Sequence, residues 1–257
     1  MKHSFILFAF LILAAIAKAD CSGSGIGVWP YTSNLKANPV IVIEFYGSSQ
    51  QIVSGLNNKY SIYLKSGKEK ISLLIIEVCK GQFRLIQVIV KPATELKAGK
   101  EYQLMIDNLP GYEGIHKWNK ETHKTETPAW KVLKEADTEF PVWTKLPKFN
   151  SKYYAMFGCG PSFGIVFDLA AADASPVLIK TTVRNTKTGK YSTYYLEPAD
   201  NKISVGHNMC SGAFDFDSND PYEVSFALMD ASGNPGCFAS QPLRFTRPDE
   251  ANDPNNQ

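Results

Sequence analysis

The strongest constraint on this chain is a succession of short apolar, β-branched and aromatic runs, each closed by a turn signal. They fall at residues 39–45, 60–64, 71–78, 83–90 and 102–106, then at 162–169, 177–184, 191–196, 211–216, 222–229 and 240–246. Between them stand turn-forming stretches such as Lys65-Ser66-Gly67-Lys68, Lys187-Thr188-Gly189-Lys190 and Asp230-Ala231-Ser232-Gly233-Asn234. No window long enough for a helix keeps the 3.6-residue apolar period. Runs of this type and spacing predict an all-β protein, a sandwich or barrel. With 44% apolar and 20% charged residues, the chain is not a disordered or fibrous one.

The N-terminus follows a different rule. A short basic start precedes an unbroken apolar run at 5–17, and Ala17-Lys18-Ala19 supplies a small-residue cleavage pattern. Residues 1–19 therefore read as a secretory signal peptide, too short for a membrane span of about 20 residues. Lys18 and Asp20 in front of Cys21 do not suit lipid attachment. Cleavage removes Lys2 and Lys18, leaving 25 of the 27 basic residues against 25 acids. A neutral mature chain has no global field for nucleic acid or an anionic membrane. The charge is uneven, +4 over residues 20–148 and −4 over 149–257, as two units with unlike surfaces would show.

Residues 108–128 form a polar stretch ahead of a last strand at 129–133. Pro141 and Pro147 mark a boundary. The expected organisation is a sandwich over 20–145 carrying a polar insertion at 108–128, a second sandwich over 148–247, and a disordered tail over 248–257.

The first unit contains "NPVIVIEF", then "KPATELKAGKEYQLMI", then the late Trp130 strand and an "EAD" exit to Pro141. This resembles the bacterial Ig-like domains of surface-layer and other exported proteins, with Leu96, Gly99 and Tyr102 in an L-x-x-G-x-x-Y pattern. In the second unit "YEVSFALMDASGNPG" is similar to the turn before the last strand of such modules. The resemblance implies two Ig-like antiparallel β-sandwiches in tandem and a structural, adhesive or binding role. Tyr102 also has a physical reading: just inside a strand, its hydroxyl can bond back to the preceding loop.

An exported chain with five cysteines is expected to form disulfides and leave one thiol over. Placed on an Ig-like sandwich, Cys210 and Cys237 fall at one pole and are the favoured pair, with Cys159–Cys210 the second choice. Cys21–Cys79 would tie the N-terminus to the first unit. Cys159 is then the free thiol, and "GCGP" offers no cationic neighbour to activate it.

Candidate chemical sites are few. His116 and His123, with Glu113 and Glu121 nearby, can ligate Zn²⁺ or Cu²⁺, though their spacing fits no standard motif. Asp215, Asp217 and Asn219 alternate oxygens as a calcium loop does, but Asp220 and Phe226 stand where an EF-hand needs Gly and Glu. His207, the only histidine of the second unit, stands three residues from Cys210 and four from Ser211, and no G-x-S-x-G is present. Trp118, Tyr191, Tyr194 and Tyr195 are the candidates for surface recognition, by stacking on a sugar ring or on a partner's apolar surface. The expectation is an exported, monomeric, non-catalytic binding or structural protein of the envelope or extracellular space, with no cofactor and a protein or glycan partner. A metal-binding envelope protein is the alternative, and a hydrolase a distant third.

Overall fold

The computed structural model describes residues 21, 23–120, 122–217, 220–239 and 241–252. The signal segment, Asn219 and the last residues of the tail lie outside these. The first half carries β1 (Gly25–Trp29), β2 (Asn34–Leu35), β3 (Ile41–Tyr46), β4 (Ile62–Ser66), β5 (Glu69–Lys80), β6 (Leu85–Pro92), β7 (Glu101–Ile106), β8 (Ile115–Asn119), β9 (Lys124–Glu126) and β10 (Ala129–Val132). They follow one hydrogen-bonded path, β2-β10-β7-β4-β5-β6-β3-β1-β8-β9. The path folds over at β5, whose residues 69–72 pair with β4 and whose residues 73–80 pair with β6. One long strand thus serves two facing sheets, and the sandwich closes around Ile26, Ile43, Phe45, Leu64, Tyr102 and Trp130.

The polar stretch at 108–128 is not a loose loop. It builds the β8–β9 hairpin, and β8 adds to the sheet by pairing in parallel with β1.

The second half has β11 (Val142–Phe157), β12 (Gly160–Ala172), β13 (Val177–Asn185), β14 (Tyr191–Leu196), β15 (Lys202–His207), β16 (Pro221–Asp230), β17 (Pro235–Phe238) and β18 (Leu243–Thr246). One sheet is β11-β12-β15; the other is β14-β13-β16, with β17 and β18 both on β16. In strand order this is first, second and fifth against fourth, third and sixth, with the seventh and eighth both edging the sixth, the Greek-key division of an Ig-like sandwich. Both halves also carry the corner that marks this fold. The Lys97 N–H donates to the Tyr102 hydroxyl (3.3 Å), and the Asp217 N–H donates to the Tyr222 hydroxyl (2.8 Å). Gly99, at φ 78°, makes the turn into the first corner.

Two details differ from the sequence reading. Residues 211–216 form no strand apart from an isolated bridge at Gly212, and the strand of that region is β15, ahead of Cys210. The Glu250–Asn252 part of the tail is ordered as a 3-10 turn against β11.

The outer face of the β1-β3-β6 sheet is covered by the second half. In β3, Ile41, Ile43 and Phe45 enter the first core, while Val42 joins Ile89, Leu85 and Trp29 in the core of the second half. Period-two side chains explain this: both faces of the strand are buried, so its sequence is apolar almost throughout. The contact is sealed by backbone and amide bonds. The Val40 N–H donates to the Ala231 carbonyl (2.8 Å) at one end, and Phe83 and Gly212 exchange N–H···O bonds at the other. Between them the Gln87 amide donates to the Tyr195 carbonyl (3.0 Å) and accepts from the Tyr195 N–H (3.1 Å). A side-chain amide there substitutes for the missing neighbour of the edge strand β14.

Candidate functional site

Strand β1 has the sequence Gly-Ile-Gly-Val-Trp. Ile26 and Val28 point into the first core. Gly25, Gly27 and Trp29 therefore share the opposite face. With glycine at two of these three positions, the strand leaves space over its backbone, filled by the Tyr46 ring at Gly25 and open at Gly27. A side chain at Gly25 would collide with the Tyr46 ring, 2.6 Å from where its Cβ would stand, whereas a Cβ at Gly27 would meet nothing within 4 Å. The walls come from the neighbouring strands in register. Tyr46 and Glu44 of β3 lie opposite Gly25 and Gly27, and His116 of β8 lies opposite Gly27 on the other side.

The result is a trough with three connected hollows, all lined by Tyr31. The outer one, about 330 Å³, adds Tyr46, Tyr112, His116 and Trp118. The middle one, about 220 Å³, reaches Glu44, Gln87 and Tyr195. The third, about 450 Å³, runs between the halves toward Lys120, Glu197 and Asp173. Tyr112 is 79% exposed and Trp118 40% exposed, so two rings stand open at the outer end. Lys120 crosses the inner end: its Nζ lies 2.9 Å from Glu197 Oε1 and 5.5 Å above the Tyr31 ring. Burial, with Glu197 and Glu44 nearby, pushes the Tyr31 hydroxyl up to about 12. Burial also raises Glu44, outweighing the hydrogen bond it accepts from the Tyr194 hydroxyl (2.7 Å).

The β8–β9 hairpin that forms the outer wall is fixed from below by Lys117. Its side chain is 1% exposed, and its Nζ donates to the Thr32 and Ala129 carbonyls (3.1 and 3.0 Å) and pairs with Glu126 (3.1 Å). Glu113, which leads into β8, accepts the one hydrogen of the Ser49 hydroxyl between its two oxygens (2.7 and 2.8 Å).

The residues singled out in the sequence are scattered by the fold. Trp118 is in the trough, and Tyr191 is 76% exposed on β14, away from it. Tyr194 and Tyr195 are not surface residues. The first half covers β14, and their hydroxyls donate to Glu44 and Glu77 (2.7 and 2.8 Å). His116 lines the trough, while His123 sits in the β8–β9 turn against Trp118. Neither histidine joins a group of three potential ligands among the described residues. Asp215 pairs with His207 (3.3 Å), which holds its carboxyl below the usual range, and Asp217 is engaged through its backbone by Tyr222.

The cysteines pair differently from either favoured expectation. The disulfide is Cys21–Cys210, with Cα atoms 5.4 Å apart. Cys79, Cys159 and Cys237 are free. Cys79 is buried in the layer between the halves, where burial and Glu77 push its thiol up to about 12. Cys237 lies past the turn that ends β16. Cys210 lies past the end of β15, at the pole where β12 begins, as the Phe163–His207 pairing places it. Reading 211–216 as a strand puts Cys210 at the wrong end of the sandwich. Expecting one free thiol at Cys159 matches the structure at that residue alone.

One acidic group was not legible in the sequence. The carboxylates of Asp137, Asp173 and Asp230 lie within 4.8 Å of one another between the halves. Each accepts hydrogen bonds: Asp137 from the Ser175 hydroxyl, Asp173 from the Ser175 N–H, and Asp230 from Asn234 and the Ser232 N–H. This is a hydrogen-bonded joint, reinforced by Asn38 and Asn234, which both donate to the Asp137 carbonyl.

No family model matches the chain, and no curated protein matches it. Among solved structures it is similar to the tandem Ig repeats of Dlar, at 10% identity over 87% of this chain and 98% of that one, with a TM-score of 0.26. It is similar to the chicken interferon gamma receptor alpha chain at 11% identity over 91% and 100%, with a TM-score of 0.27. A pullulanase from Anoxybacillus sp. aligns at 10% identity over 81% of this chain, with a TM-score of 0.25; the chain spans 24% of that protein. The strand orders and the two tyrosine corners define the class: a tandem pair of Ig-like β-sandwiches.

Proposed function

We propose that this chain is an exported, non-catalytic binding protein of the envelope or extracellular space, and that it engages a ring-bearing ligand, a glycan before a protein, in the β1 trough. The observation that carries this is the glycine floor between aromatic walls. The open backbone at Gly27, flanked by Tyr31, Tyr46, Tyr112 and Trp118, offers aromatic faces on which the C–H face of a sugar ring can stack. Glu44, His116, Glu113 and the Lys120–Glu197 pair add polar groups for orientation. Export is supported by the N-terminal leader pattern and by a disulfide between distant segments. The resemblance to surface-layer-type Ig-like modules favours a bacterial envelope. The metal reading has no comparable feature at the residues that suggested it: His116, His123, Asp215 and Asp217 join no group of three potential ligands among the described residues.

The test is binding of the full chain to an array of bacterial and host glycans, with Gly27→Leu as the decisive variant. A Leu side chain there has open space to occupy and no positive φ to oppose it, so the fold is kept and the floor is filled. Wild-type binding to a glycan class, lost at least tenfold in Gly27→Leu and Trp118→Ala with melting temperature unchanged, is the expected result. Equal binding by Gly27→Leu sinks the trough as the site.

A further inference from the structure

The pole remote from the β8–β9 hairpin carries chemistry that the trough does not use. Cys159 sits with Gly158 in the tight turn between β11 and β12, where Phe157 pairs with Gly160. Cys210 lies in the loop after β15; its N–H and that of Ser211 donate to Asn208 Oδ1 (2.7 and 2.9 Å). Cys21 arrives from the segment ahead of β1, its carbonyl held by the Arg84 guanidinium. The three sulfurs all lie within 4.8 Å of one another. Two are bonded, Cys21 to Cys210; the third is a free, partly buried thiol.

We propose that these cysteines form a thiol–disulfide exchange site in which Cys159 is the nucleophile, Cys210 the attacked sulfur and Cys21 the leaving group. The Cys159 thiol loses its proton to solvent, and its thiolate attacks Cys210 Sγ. The Cys159–Cys210 bond forms as the Cys21–Cys210 bond breaks, and the released Cys21 thiolate takes up a proton. No oxidant or reductant is consumed: one disulfide and one thiol give one disulfide and one thiol.

Several features favour this direction. Reacting atoms need an approach of about 3–3.5 Å, so a separation within 4.8 Å leaves only a small movement to make. The attacking residue is in a turn beside Gly160, whose φ of 132° is open to glycine alone, so the turn can adjust. Cys159 and Cys210 flank β12 and β15, which are paired strands of one sheet, so the new bond joins neighbours inside a single sandwich. The leaving thiol has a place to rest, because the Met209 carbonyl oxygen lies 3.5 Å from Cys21 Sγ and can accept a hydrogen bond from its S–H once protonated. The outcome matters for the architecture. In the described state the disulfide ties the first half to the second across 189 residues of sequence. After exchange that tie is gone, and the segment ahead of β1 is held only by non-covalent contacts.

Peptide-level disulfide mapping tests this on the full chain secreted through an oxidising compartment. A Cys237→Ser background removes the exposed thiol at the other end of β11. Samples incubated at mildly alkaline pH, then quenched with acid and N-ethylmaleimide, are expected to contain both Cys21–Cys210 and Cys159–Cys210 peptides. Their ratio should relax after a pH jump and freeze in acid, since the thiolate is the reactive form. Cys159→Ser should yield Cys21–Cys210 alone, and Cys21→Ser should yield Cys159–Cys210. The proposal is overturned if Cys21–Cys210 remains the sole linkage while Cys159 is fully alkylated after long alkaline incubation. It is equally overturned if folded Cys21→Ser protein keeps Cys159 and Cys210 as free thiols. Should Cys21→Ser fail to fold, the relaxation in the chain retaining all three cysteines decides alone.

Discussion

Tyr102 and Tyr222 do the same work in the two sandwiches, each accepting a backbone N–H from the loop before its strand. Replacement by Phe keeps the ring and removes the acceptor, leaving that N–H without its partner. An unmade bond of this kind costs about 1–3 kcal/mol. Tyr102→Phe and Tyr222→Phe are each expected to lower the unfolding free energy by about that amount, read from urea midpoints at constant slope. Glu44 makes a prediction of opposite sign. Its carboxyl is raised by burial, so ionising it opposes folding. The stability it allows is complete below the ordinary carboxylate range and is lost as pH rises through its raised folded value. Glu44→Gln keeps an acceptor for the Tyr194 hydroxyl and removes the charge. The variant should be more stable than wild type near pH 8 and equal to it near pH 4; a constant difference across that range would refute the assignment to ionisation.

At the scale of the element, legibility followed burial. The strands with apolar runs were visible, because period-two patterning and turn chemistry report locally. The runs at 39–45 and 83–90 held more than was read from them: apolar residues at successive positions, interrupted only by Glu44, Arg84 and Gln87, mark a sheet covered on both faces, and so the contact with the second half. The β8–β9 hairpin was hidden because it is polar and an edge; Ile115 only partly enters the core, and the one fully buried residue of β8 is a lysine, which patterning counts as solvated. Lys117 nonetheless holds two carbonyls and Glu126 from a buried position. Lys117→Ala should cost about 2–4 kcal/mol by leaving those groups unpaired. It should also weaken trough binding, since Trp118 and His116 lose their support. Gln87 has the same character. Gln87→Leu strips both backbone partners from Tyr195, and a loss of about 2–4 kcal/mol is expected in denaturant titration. The trough itself was out of reach of patterning, because a glycine floor is the absence of side chains and its walls come from strands distant in sequence.

For the whole molecule the question is whether two sandwiches make two folding units. The layer between them holds Val40, Val42, Leu85 and Ile89 of the first half against Phe163, Leu178, Tyr195 and their neighbours in the second. Burying four aliphatic side chains is worth about 6–12 kcal/mol at the usual 1.5–3 kcal/mol each. A single domain has only about 5–15 kcal/mol to lose. Separation would strip one sheet of the first half of its cover and leave Tyr195 of β14 without Gln87. The Cys21–Cys210 bond adds to the coupling by restricting the unfolded chain, on the order of 5 kcal/mol for a loop closed across 189 residues. The halves should therefore unfold together. Calorimetry of the oxidised full chain is expected to show one transition whose van't Hoff and calorimetric enthalpies agree. Residues 20–145 produced alone should be unfolded or aggregated, through the exposed Val42 and Ile89 face. Two resolved transitions, or a soluble first half with native-like circular dichroism, would mean that the shared layer is a docking contact and each sandwich stands on its own core.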